Sequence, residues 1–128
     1  MSKNNSLPYI IGIIAIIAIF GFVMVNSGST DNSETYNAPI VDGLQEIVLG
    51  VKDFNYYPNT IKVQQGIPVR IYLDSSVSGC LRDFTVRDFG IHEYLKTSQD
   101  YVEFIPTAKG RHSFACSMNM GTGVLIVE

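Results

Sequence analysis

Tryptophan is absent from this 128-residue chain, and cysteine and histidine occur only twice each. The two cysteines stand far apart, so the close ligand pairs on which structural zinc sites are built are missing. The lack of tryptophan counts against an immunoglobulin-type sandwich, where that residue packs on the bridge between sheets. Basic blocks and internal repeats are lacking too. After residue 40, eight Lys and Arg are interspersed with ten Asp and Glu, which excludes nucleic acid as a partner. Neither His92 nor His112 stands with a carboxylate and a nucleophile in a recognisable constellation. Acid–base and nucleophilic catalysis therefore have no residue support, and the chain is not read as an enzyme.

What is present begins with an uncharged run, LPYIIGIIAIIAIFGFVMV, from Leu7 to Val25. As a helix it would be about 28 Å long, close to the hydrocarbon core of a bilayer, and it exceeds the apolar region of an ordinary signal peptide. Residues 7–25 are therefore expected to be a transmembrane anchor in contact with membrane lipid. Lys3 precedes the run, whereas the next 18 residues carry Asp31, Glu34 and Asp42 and no Lys or Arg. This asymmetry favours a single-pass cell-membrane protein with its soluble domain outside the cytoplasm, a cytoplasmic domain being the alternative. Residues 26–43, rich in Ser, Asn, Thr and Gly, are expected to form a flexible linker. Residues 44–128 are left as one small domain.

That domain reads as short strands separated by turn signals. EIVLGV, TIKV, PVRIYL, DFTV, YVEFIP, RHSFAC and VLIVE have strand composition, and several alternate apolar with polar residues. In PVRIYL, Val69, Ile71 and Leu73 fall on one face and Arg70 and Tyr72 on the other. DFNYYPN reads as a turn region, and GIHEYLKTS fits either a helical turn or a loose edge strand. The pattern predicts an all-β fold, an antiparallel Greek-key β-sandwich, after one N-terminal transmembrane helix. Most aromatic residues, including Phe84, Phe104, Phe114, Tyr56 and Tyr57, are expected in its core.

Cys80 and Cys116 form a candidate disulfide in an exported domain. Their surroundings suggest a second role. Cys116 ends a strand and is followed by Met118 and Met120 at two-residue steps, with Gly121 and Gly123 closing the loop. Asn119 and these glycines mark the segment as a turn; if it nevertheless stays extended, the three sulfur side chains share one side. Thiolate and thioether donors select a soft ion, and Cu(I) is the leading candidate. His92 and His112 are expected in ordinary packed or exposed roles, not as ligands.

The segments GVKDFNYYPNTIKVQQGIPVRIYL, SGC and VEFIPTAKGRHSFACSMNMGTGVLIVE resemble the cupredoxins, copper-binding Greek-key sandwiches. In the plastocyanin type the last ligand loop reads Cys-Ser-Pro-His with a methionine further on. Here Cys116-Ser117 fits, but Asn119 stands where that histidine would be and Val124 where that methionine would be. Cys80 takes the place of the earlier histidine. This departure resembles the CupA-type membrane-anchored Cu(I) chaperones. The resemblance implies Cys80 and Cys116 as thiolate metal ligands, completed by Met118 and Met120, with up to two Cu(I) ions per domain. It also implies a copper-exporting P-type ATPase, or its metal-binding domain, as partner in copper homeostasis. The runner-up is a disulfide-bonded β-sandwich interaction domain without metal.

Overall fold

The computed structural model describes residues 34–128. The expected anchor, residues 7–25, and the first part of the expected linker lie outside the described residues. Among the described residues, no helix is long and apolar enough to cross a membrane.

Eleven strands build two sheets. In chain order they are β1 (Thr35–Asn37), β2 (Ile40–Val41), β3 (Leu44–Lys52), β4 (Asn55–Tyr57), β5 (Thr60–Val63), β6 (Val69–Leu73), β7 (Asp83–Val86), β8 (Ile91–Tyr94), β9 (Tyr101–Phe104), β10 (Gly110–Cys116) and β11 (Thr122–Val127). One sheet has the order β1-β5-β11-β10-β7-β8; the other is β2-β3-β6-β9, with β4 paired to β3. Short 3-10 turns at Gly79–Arg82 and Arg87–Phe89 flank β7.

All seven expected strands form, because their period-two patterns match what each sheet buries. In β6, Val69, Ile71 and Leu73 are buried while Arg70 and Tyr72 are partly exposed. Ile47 and Leu49 of β3, Ile61 and Val63 of β5, and Leu125 and Val127 of β11 join them in one core with Phe84 and Phe114. Gln45, wholly buried, is satisfied by the loop before β6: its amide nitrogen donates to Gln64 O and Ile67 O at 3.1 Å, and its oxygen accepts from Gln64 N–H at 2.7 Å.

Three expectations are corrected. The sandwich is not wholly antiparallel: β3 runs parallel to β6, β5 to β11, and β1 to β5. Between β3 and β6 the chain passes through β5 of the other sheet, and such a crossover returns it in the same direction. Part of the expected tether is ordered into the sheets, with Thr35–Asn37 against β5 and Ile40–Val41 against β3. Its backbone groups find ladder partners there although its side chains are exposed. The turn region after β3 contains β4, a hairpin strand reached through Asp53 and Phe54, both with positive φ. The ambiguous GIHEYLKTS resolves as the edge strand β8.

Candidate metal centre

The site lies at one end of the sandwich, where β10 passes into β11. Cys116 is the last residue of β10 and is wholly buried. The loop after it folds back at once: Asn119 N–H donates to Cys116 O at 2.9 Å, and Cys116 N–H donates to Gly121 O at 3.0 Å. Asn119, at φ +55°, takes the left-handed conformation that asparagine tolerates. The stretch from Cys116 to Met120 is thus a turn, as Asn119 and the glycines after it indicate, and the extended arrangement of its sulfurs does not form. The turn wraps the thiol in backbone donors, Met120 N–H at 3.1 Å and Gly121 N–H at 3.4 Å from Sγ. Burial pushes the Cys116 thiol up, but hydrogen bonds from Gly121, Met120 and Met118 N–H and from the Cys80 thiol outweigh it, so its pKa lies below the ordinary value.

Cys80 arrives from a second loop, the 3-10 turn Gly79–Arg82, and is half-buried. Its Sγ lies 3.5 Å from Met120 Sδ. Cys80, Cys116 and Met120 therefore converge although 35 residues lie between the cysteines. Both cysteines are free thiols in this structure. Met118 contributes its N–H to Cys116, while its side chain and that of Met120 are about two-thirds exposed. A groove of about 390 Å³, lined in part by Val51, Phe54, Cys80, Leu81 and Met120, opens beside these sulfurs.

Several residues that pattern reasoning gave no role hold the two loops. Arg82 is buried and donates to Leu95 O at 2.9 Å and Asp74 O at 2.8 Å, fixing the Cys80 turn to its surroundings. Ser117 N–H donates to Asp83 O at 3.0 Å, and the Asp83 carboxylate accepts from the Ser117 hydroxyl. That hydroxyl first, and then His92 at 2.9 Å, hold the Asp83 carboxyl below its ordinary range against the opposing effect of burial. Tyr56 OH donates to Leu81 O at 2.5 Å. Burial, then the nearby Cys116, Cys80 and Asp83 charges, pushes this phenol well up, so it remains a donor. The only sequence signal for these contacts was local: a glycine-closed loop after Cys116 and polar residues around Cys80.

Each histidine meets a carboxylate from a separate part of the fold. His92 pairs with Asp83, and His112 places Nδ1 2.8 Å from Asp88 and Nε2 2.8 Å from Ala108 O. Neither pair includes a nucleophile, and both ring nitrogens of His112 are engaged.

The donor chemistry fits a soft monovalent ion. Among the described residues, no three His, Cys, Asp or Glu side chains gather, so two thiols can be supplemented only by thioether sulfur. Such a set suits Cu(I) and lacks the imidazoles of a blue-copper centre and the four-ligand set of structural zinc.

Two sheets enclosing a core, with the Cys116 loop between the last two strands, define a cupredoxin-type sandwich. The chain belongs to the cupredoxin-like domain family, whose sequence profile matches residues 12–127. Among solved structures it is similar to the metal-binding domain of the Streptococcus pneumoniae D39 Cu(I)-exporting P-type ATPase CopA with Cu(I). The identity is 30%, over 75% of this chain and 97% of that one, with a TM-score of 0.67. It is also similar to a copper-binding protein solved in the apo form, at 37% identity over 75% of this chain and 99% of that one, with a TM-score of 0.66. A copper-containing nitrite reductase from Thermus scotoductus SA-01, at 14% identity, shares the fold alone, with 78% of this chain and 29% of that one covered at a TM-score of 0.54. No curated protein matches the chain.

Proposed function

We propose that this protein is a membrane-anchored Cu(I)-binding protein that sequesters cuprous ions and passes them to a copper-exporting P-type ATPase. The observation that carries this reading is the convergence of Cys80 and Met120 sulfurs at 3.5 Å beside the buried Cys116 thiol. Its similarity to a metal-binding domain of a Cu(I)-exporting ATPase supports both the ion and the class of partner. Copper is cargo here, and the protein is not an enzyme.

Cys80 and Cys116 supply the tight thiolate ligands. Backbone donors around Cys116 stabilise its thiolate before any ion arrives, which limits the reorganisation that binding requires. Met118 and Met120 are weaker, neutral donors on the solvent side, where they hold a second Cu(I) loosely enough to exchange. The groove beside Cys80 and Met120 gives an incoming sulfur ligand access. The apolar run 7–25 keeps the domain at the cell membrane, and the flanking charges favour an extracytoplasmic face.

Titration of the reduced full-length protein in detergent with Cu(I), against a chromophoric chelator, tests this reading. Two equivalents are expected in the wild type. Cys80→Ser and Cys116→Ser each weaken binding strongly, to a residual affinity that a weaker chelator still reads, and Met118→Ala with Met120→Ala removes the second equivalent. Thiols that react only after reduction, in a protein that then fails to compete for Cu(I), would overturn it.

A further inference from the structure

Tyr56 touches both ligand loops at once, although it belongs to neither. It sits on β4, is 1% exposed, and donates its hydroxyl to Leu81 O at 2.5 Å, next to Cys80 in the 3-10 turn. Its ring packs against Phe84 at 5.7 Å and Phe114 at 5.8 Å, so it has little room to move. On its other side lies the Cys116 loop: a Cβ built on Gly121 would come within 3.1 Å of the Tyr56 ring and 2.5 Å of Leu81 Cδ2. Only a glycine lets the second loop settle against the ring and Leu81 this closely. The gap between the loops is thus set through Tyr56 and Leu81, and across that gap stand Cys80 and Met120, 3.5 Å apart.

We propose that Tyr56 is a positioning residue for the metal centre, holding the Cys80 turn at the spacing that lets Cys80 reach Cys116 and Met120. This rests on the Cu(I) reading above and adds the part of the fold that makes the sulfur site preformed. A packing role alone would require the ring but not the hydroxyl, so Tyr56→Phe separates the two: it leaves the rings in place and frees only the Leu81 carbonyl. Loss of one such bond is expected to relax the turn and weaken tight Cu(I) binding about fivefold to tenfold.

A double-mutant cycle on the reduced full-length protein tests this, with Cu(I) affinity read by chelator competition in wild type, Tyr56→Phe, Cys80→Ser and the double variant. The proposal expects the loss caused by Tyr56→Phe to vanish, within about twofold, once Cys80 is gone. An equal loss in both backgrounds, or unchanged affinity with only a lowered melting temperature, would overturn it. A copper-free readout keeps it separate from the Cu(I) reading. A trivalent arsenical bridges two thiols held close, and Tyr56→Phe is expected to slow that bridging of Cys80 and Cys116 whether or not the wild type takes up copper. Equal bridging rates in the two proteins would overturn the positioning role.

Discussion

At the scale of single residues, the two cysteines differ in environment more than in sequence context. Cys116 is wholly buried, whereas Cys80 is half-buried and borders the open groove. Access outweighs thiolate character when a reagent cannot reach the sulfur. Alkylation of the reduced, metal-free protein is therefore expected to modify Cys80 first and Cys116, covered by its own loop, more slowly. Mass mapping after timed quenching checks this, and equal rates at both sites would contradict it. Gly123 makes a second residue-scale case. A Cβ there would lie 2.1 Å from Phe114 Cζ and 2.7 Å from the Asn59 carbonyl oxygen, which also accepts Val124 N–H at 2.8 Å. Neither the buried ring nor the paired backbone can retreat freely. Gly123→Ala is expected to cost about 2–3 kcal/mol, read by denaturant unfolding.

At the scale of elements, β10 is fastened to the turn Arg87–Phe89 by the His112–Asp88 pair, with the Phe89 ring 4.7 Å from the imidazole. Asp88 first, with Ala108 O adding to it and burial opposing, holds the His112 pKa above its ordinary value. A folded pKa raised above the unfolded one adds stability that is fully present below about pH 6.5 and is lost as pH rises through the folded value. Unfolding free energy measured across that range is expected to fall in the wild type and to stay flatter in Asp88→Asn. The Asp83 carboxyl has the opposite sign. Its lowered folded pKa gives stability above the unfolded carboxylate range, lost as pH falls through the folded value. Strands with clear alternation, such as β6 and β9, were legible because burial on one face imposes period two. β1, β2 and β4 were not, because exposed or short segments are recruited by ladder partners elsewhere in the chain.

At the scale of the molecule, a ligand that binds only the folded state raises stability by mass action. At a hundredfold excess over its dissociation constant it adds about 2.7 kcal/mol. Cu(I) under reducing conditions is therefore expected to raise the melting temperature of the wild type and to leave that of Cys80→Ser nearly unchanged. Comparable shifts in both would place the bound ion away from this site. The same scale explains why the placement of the candidate sulfur donors was only partly readable. Met118 and Met120 were flagged by nearness to Cys116, but the structure brings Met120 against Cys80 and leaves the Met118 side chain exposed.

The sequence by itself determined the β-rich domain, the positions of its seven expected strands and the cluster of soft donors after Cys116, because alternation and motif spacing are local properties. Only the tertiary structure decided that β3 and β6, and β5 and β11, run parallel. It also decided how the Cys116 loop wraps its thiol in backbone donors, and that Tyr56, Arg82 and Asp83 brace the Cys80 turn against it. Those outcomes depend on which distant segments share a core and which backbone groups pair across it, and such contacts leave no periodic mark on the chain.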